Sequence, residues 1–212
     1  MFKNIPSFQE IIISVLAFLI AITVHEFAHA RAALSAGDDT AKQAGRVSLN
    51  PLDHLDPMGT MMFLFTMLSG FGLAWGKPVP INPHRFNNPR WDILKVSIWG
   101  PFSNLITALV LTLILRFVVH PFAPGYLQLM ATCIIFNLGL AFFNMIPVPP
   151  LDGSKVLSAL LPIEMARRYD MATARYGMMI LLVLIFTGAI GIIIVPPIMV
   201  LFRMLMKIGL GA

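Results

Sequence analysis

Charged positions along this chain are confined to the margins of long apolar runs. No acidic or basic residue lies between Glu10 and Glu26, where the helical pattern continues to Ala36, and Pro57–Gly76, Val96–Leu115, Phe117–Leu151 and Tyr176–Phe202 are likewise free of charge. Each run reaches or approaches the roughly 20 apolar residues that cross about 30 Å of hydrocarbon as an α-helix. The pattern therefore predicts an all-α polytopic membrane protein with about four transmembrane helices. His120, Pro121, Pro124 and Gly125 separate a helix over Val96–Val119 from one over Tyr126–Ile146. Pro147, Pro149 and Pro150 end the second of these and force an extended link before a helix that starts near Ser154. Pro196 and Pro197 are expected to break the C-terminal membrane segment, 176–202.

Composition narrows the reading. Of 212 residues, 58% are hydrophobic and 12% charged, with a mean hydropathy of +0.82. Soluble domains carry roughly 25% charged residues, so an ordinary water-facing surface is excluded. The net charge of +5 is too diffuse to imply a nucleic-acid partner. One cysteine, Cys133, lies within an apolar helix, which rules out an intrachain disulfide and reads as a small apolar residue.

The exceptions to the apolar pattern carry the chemistry. Val24 is followed by His25-Glu26-Phe27-Ala28-His29, an H-E-x-x-H motif inside the first helix. On a helix, positions i and i+4 share a face, so both imidazoles reach one metal while the carboxylate between them stands beside it as a base. Ionisable groups at this depth are costly unless paired, facing a cavity or bound to an ion. Such a site needs a third protein ligand. Asp152, just past the proline link, can turn inward to supply it, or can cap the helix that follows.

These motifs together resemble the site-2 protease family of intramembrane zinc metalloproteases, in its small prokaryotic form. The resemblance rests on His25-Glu26-Phe27-Ala28-His29, on Gly100-Pro101-Phe102-Ser103-Asn104, and on Asn144-x-x-Pro147-x-x-Pro150-Leu151-Asp152-Gly153. The stretches Gly45–Pro51, Asp56–Thr60 and Gly76–Pro83 are similar to small members of the family. It implies one Zn²⁺ per chain held by His25, His29 and Asp152, Glu26 as catalytic base, and a transmembrane helix of another protein as substrate, as in regulated intramembrane proteolysis. It covers about residues 11–157 as a catalytic core within a single domain, 1–212, and no PDZ or CBS module is expected. A membrane zinc hydrolase of lipidated substrates and a zinc-binding transporter or scaffold without catalysis are the competing readings; Pro150–Gly153 argues against the first and Glu26 against the second. Asn144 and Asn104 are candidates for contact with substrate or for hydrogen bonding between helices. Lys77–Pro83, with Pro78, Val79 and Pro80 at its centre, reads as an extended edge able to hold an unwound substrate strand, or as a stiff loop. His54, His84 and His120 are expected to be solvated or interfacial. Trp75, Trp91 and Trp99 read as interfacial anchors, and Arg167, Arg168 and Arg175 as a cytoplasmic cluster contacting lipid headgroups.

Topology supplies a test. If Asp152 joins the two histidines, helix one and helix 126–146 must end on the same side, so one of the segments between them does not cross. Pro57–Gly76, short and containing Gly59, Gly70, Gly72 and Gly76, is expected to be re-entrant. Eleven of the 15 basic residues then share one face, opposite Lys3, Arg116, Arg203 and Lys207. That asymmetry predicts a multi-pass plasma-membrane protein with its site toward the cytoplasmic half. Single-cysteine labelling should find positions beside Arg46 and beside Arg85 on the same side of the membrane; labelling from opposite sides would sink this topology.

Overall fold

The computed structural model describes residues 6–69, 72, 74–117 and 124–211. Lys3, His120 and Pro121, to which the sequence assigned topological roles, lie outside the described residues. Among the described residues the chain is helical with no strand: α1 (Phe8–Ser35), α2 (Thr40–Gln43), α3 (Pro57–Ser69), α4 (Pro89–Phe117), α5 (Pro124–Asn144), α6 (Asp152–Leu160), α7 (Ile163–Phe186) and α8 (Ala189–Leu210). Five of these, α1, α4, α5, α7 and α8, are long and apolar enough to cross a membrane. The chain is a multi-pass, all-α membrane protein.

α1, α4 and α5 form the centre. A capping box starts α1: the Ser7 hydroxyl accepts the Glu10 N–H at 3.3 Å, and the Glu10 carboxylate accepts the Ser7 N–H at 2.7 Å. Ala17, Ala21, Ala30 and Ala33 are all but fully buried along α1. Small side chains let helix backbones approach closely, and the Asn104 amide on α4 consequently reaches the Ala21 carbonyl at 2.9 Å. His29 meets Val96 whereas His25 meets Asn104, so α1 and α4 are antiparallel. At the far end Gln9 lies beside Gly125. At the near end both histidines meet Asp152, just beyond α5. α1 and α5 therefore run in the same direction, with one crossing, α4, between them.

That leaves residues 57–76 on one side. α3 has 13 residues, about 20 Å of helix, too short to cross. Its hairpin is closed at the base, where the Lys77 N–H donates to the His54 carbonyl at 2.9 Å and the Trp75 indole N–H donates to Asp56 at 3.2 Å. Its helical limb is apolar: Phe63 stacks on Phe18 with ring centroids 4.5 Å apart and meets Phe136 edge-on at 6.1 Å. Phe18 lies about 10 Å along α1 from His25. The segment enters and returns, in agreement with the parity argument.

The C-terminal segment is built differently from expectation. The chain does not break at Pro196-Pro197, which lie inside α8. It turns instead at Thr187 and Gly188, the glycine adopting a left-handed conformation with φ of 72°. A transmembrane helix tolerates proline when neighbours accommodate the freed backbone groups, and α8 packs along its length on α4 and α5 through Ile198, Leu205, Ala108, Ile134 and Leu138. The expected single segment over 176–202 is thus two helices, and the polar stretch 164–175 belongs to the first. α8 ends with Gly209 against Leu115 and Gly211 against Arg116, so the α7–α8 pair carries the chain from the site end of the bundle to the opposite end.

A methyl group on Gly59 would overlap the Trp75 carbonyl, a backbone atom that cannot swing aside. Gly59→Ala should therefore destabilise the hairpin by roughly 1–3 kcal/mol. The expected signs are a lower Tm in detergent and faster proteolysis between residues 57 and 76; an unchanged Tm would contradict this packing.

Candidate metal centre

His25 and His29 project from one face of α1 with their rings edge to face, centroids 4.6 Å apart. Their Nε2 atoms are 3.0 Å apart and lie 3.1 and 3.0 Å from the same oxygen, Oδ2 of Asp152. All three residues are buried. The remaining ring nitrogens are committed elsewhere: His25 Nδ1–H donates to Asn104 Oδ1 at 2.7 Å, and His29 Nδ1–H donates to the Val96 carbonyl at 2.8 Å. Asn104 is held in this orientation because its amide donates to Ala21 and, at 2.8 Å, to Asn137 Oδ1, while the Asn137 amide donates to the Cys133 carbonyl at 2.8 Å.

With each Nδ1–H committed elsewhere, the neutral form of both imidazoles turns two Nε2 lone pairs and one carboxylate oxygen toward a single point. Three acceptors facing one another in a buried place repel unless a cation sits among them, and two histidines with a carboxylate form a donor set suited to zinc. His25, His29 and Asp152 are thus the group able to hold a metal ion among the described residues.

Local sequence explains why the point is reachable. A methyl group at Gly100 would strike both imidazoles, so only glycine lets α4 pass this close to the motif. A methyl group at Gly153 would strike the Met145 carbonyl, because the proline link folds back over the end of α5. Asp152 is the first residue of α6, Leu151 occupies the cap position, and no side chain caps that end. The Asp152 carboxylate faces the histidines through Oδ2 and Lys155 through Oδ1, at 3.5 Å from Nζ.

Glu26 stands beside the pair, and its Oε2 accepts the Val79 N–H at 2.9 Å. A cavity of about 120 Å³ joins His25, Glu26, His29 and Asp152 to Pro78, Val79, Ile81, Ser97, Asn144 and Lys155. A larger one of about 530 Å³ extends from His25 and Glu26 between Ile22, Met62, Trp75, Leu140, Phe143, Met178 and Leu182. Asn144 lines both cavities and donates to the Leu140 carbonyl at 3.0 Å. Pro78 and Val79 border the smaller cavity; past Pro80 the lining resumes at Ile81.

Asn104 hydrogen-bonds between helices, one of the two roles expected of it, and three other features differ from expectation or escape it. Asn104 is fully buried and orients His25, leaving it no surface for substrate. His54, expected to be solvated, is fully buried, its Nε2–H donating to the Ser48 carbonyl at 2.7 Å beneath the re-entrant hairpin. His84 is exposed, as expected. Asn137 belongs to none of the motifs quoted above, and a lone asparagine in an apolar helix is the one signal the sequence offers for it. Lys155, one turn beyond Asp152, reads in the sequence only as a topology charge but stands beside the Asp152 carboxylate.

Over 181 residues the chain is 40% identical to the YwhC protein of Bacillus subtilis, classed by name among zinc metalloproteases; the match spans 82% of this chain and 80% of that protein. Residues 120–187 match peptidase family M50. The chain belongs to family M50, the site-2 protease family. This M50 peptidase is also 30% identical over 188 residues to the Rip2 protein of Mycolicibacterium smegmatis, covering 87% of the chain and 71% of the relative. It is 30% identical over 169 residues to Rip2 of Mycobacterium tuberculosis, covering 79% and 64%. Both relatives carry zinc metalloprotease names. No solved structure matches the chain significantly.

In this M50 peptidase the Asn104 bond fixes which His25 nitrogen faces the metal position. Partners of this kind are worth about 10–100-fold in metal affinity. Asn104→Ala is expected to weaken zinc binding by about that factor, read by chelator competition on purified protein. Affinity equal to wild type would show that Asn104 serves packing alone.

Proposed function

We propose that this M50 peptidase is an intramembrane zinc endoprotease that hydrolyses peptide bonds within or near transmembrane helices of other membrane proteins. The observation carrying this reading is the buried convergence of His25, His29 and Asp152 with Glu26 beside them, at the mouth of an apolar cavity between membrane helices. One zinc ion per chain would be held by Nε2 of each histidine and Oδ2 of Asp152. Zinc so held supplies Lewis-acid chemistry, lowering the pKa of water toward neutrality and polarising a carbonyl.

The protein's own groups do the rest. Glu26 takes the proton of the attacking water and returns it to the leaving amine, and the Val79 N–H holds its carboxylate in one orientation. Asn104 and the Val96 carbonyl keep both imidazoles in the ligating tautomer. A helical substrate must unwind before attack, and its strand then needs partners where water is scarce. Pro78 and Pro80 lack N–H groups and the Val79 N–H is engaged by Glu26, so pairing along this edge falls to the Ile81 N–H and to the carbonyls of Val79, Pro80 and Ile81. Asn144, at the junction of the two cavities, is placed to donate to the substrate backbone.

Eleven of the 15 basic residues lie on the helices and loops at the end of the bundle where α1 stops and α4 starts. The positive-inside rule assigns that end to the cytoplasm, with the chain in the plasma membrane and Arg167, Arg168 and Arg175 exposed toward headgroups.

The test is cleavage of single-span membrane proteins by purified, zinc-loaded protein. Glu26→Gln should keep its zinc and lose activity by at least about 100-fold. Asp152→Asn should lose zinc stoichiometry. A metal-replete Glu26→Gln variant that cleaves as fast as wild type would overturn the mechanism.

A further inference from the structure

A second buried polar cluster lies outside the metal centre, around Arg46. This arginine is 6% exposed. Its Nη2 donates to the Lys77 carbonyl at 2.7 Å and its Nη1 to the Pro78 carbonyl at 3.2 Å. Nη2 also lies 3.4 Å from Nδ1 of His54, whose own carbonyl accepts the Lys77 N–H at 2.9 Å. Every one of these bonds to the extended segment falls on the two residues that precede Val79, the residue whose N–H meets Glu26. The other end of the segment is tied as well. Asp38 Oδ2 accepts the Asn82 N–H at 2.6 Å, and its Oδ1 accepts the Thr40 N–H at 3.0 Å. Burial opposes ionisation of Asp38, but the bonds from Thr40 and Asn82, with the charge of Arg85, hold its carboxyl below the ordinary range.

The placement of Arg46 has a cost that packing alone does not explain. A buried guanidinium forgoes solvation, and a methionine or leucine would fill the same volume without that loss. What arginine adds is a planar fork able to grip two acceptors at once. Here it grips consecutive carbonyls of a strand that has no sheet neighbour to define its register, and whose alternate residues, Pro78 and Pro80, contribute no donors.

We propose that Arg46 is a positioning residue for catalysis: by clamping the Lys77 and Pro78 carbonyls it sets the Val79 N–H that orients the Glu26 carboxylate. The chemistry assigned to Glu26 is the reading given above; the clamp itself is independent of it. Arg46 touches neither the metal position nor the substrate cavity and acts through the strand.

The experiment uses the full chain in detergent or nanodiscs, with Arg46→Met, Arg46→Lys, Val79→Pro and the Arg46→Met/Val79→Pro double variant. Hydrogen exchange reads the clamp without any activity, because residues 77–82 carry amides only at Lys77, Val79, Ile81 and Asn82. Arg46→Met should speed exchange in this segment by about tenfold or more and leave α1 and α4 unchanged. In cleavage assays of zinc-loaded protein, Arg46→Met should lower kcat by about 10–100-fold, with a smaller change in KM and zinc content nearly unchanged. Arg46→Lys should recover part of that loss. Because both substitutions break one linkage, the double variant should be no slower than Val79→Pro alone. Unchanged exchange, losses that multiply, or an effect confined to KM or zinc content would overturn the clamp. A wild type that holds zinc but cleaves nothing would overturn the protease reading, while the exchange measurement still decides the clamp.

Discussion

Three acceptors turned toward one point, buried between membrane helices, are the constraint on which the rest of this molecule depends. The Nε2 lone pairs of His25 and His29 and the Asp152 carboxylate oxygen lie within 3.1 Å of one another. Such an arrangement persists only if each ring is denied the alternative tautomer and a cation offsets the repulsion. Denial comes from α4, through Asn104 and the Val96 carbonyl. Asn104 is in turn oriented by α1 and α5. The metal centre and the packing of the three central helices are therefore one problem: moving any helix by an ångström breaks a tautomer-setting bond.

Topology follows from the same requirement. The histidines sit near the end of α1 and Asp152 sits just past α5, so both helices must arrive at the site from the same direction. Only α4 can then cross between them, and the apolar stretch 57–76 has to come back to the side it left. The structure accomplishes this by closing the hairpin at its base with bonds from Lys77 to His54 and from Trp75 to Asp56. Irregular backbone is tolerated at membrane depth where it lines a cavity, and the returning limb of this hairpin does line one. The hairpin is thus the topological consequence of recruiting Asp152, and it also supplies a wall of the substrate space.

How much of this was legible in the sequence depended on range. The H-E-x-x-H spacing encodes its own geometry because i and i+4 share a helix face whatever surrounds them. The run of three prolines before Asp152 likewise dictates a local break. Parity connected the two distant motifs and placed the hairpin without any contact being known. What stayed hidden depends on tertiary neighbours. His54 and Arg46 read as ordinary loop polars until the Lys77-Pro78 segment packs against them, and Asn137 gains meaning only beside Asn104. The C-terminal segment misled for a different reason. Proline is a strong local signal, but α8 is supported along its length by α4 and α5 and absorbs both prolines, while the turn occurs at Gly188, in a stretch whose uniform hydrophobicity conceals it.

Glu26 shows how rigidity is divided in the site. Its backbone belongs to α1, the best-buttressed element of the bundle, yet its carboxylate takes its direction from a strand with no regular secondary structure. A strand without sheet neighbours loses little by shifting register, so its position must be enforced by side chains at each end. Arg46 and His54 hold one end and Asp38 holds the other. Between those ties, Val79 and Ile81 line the cavity, and no sheet claims the carbonyls of this segment. A helix alone would fix the base but offer an unwound substrate nothing to pair with; a full sheet would offer an edge but crowd the metal. A short extended segment pinned by buried charges at its two ends meets both demands, which accounts for the burial of Arg46 and Asp38.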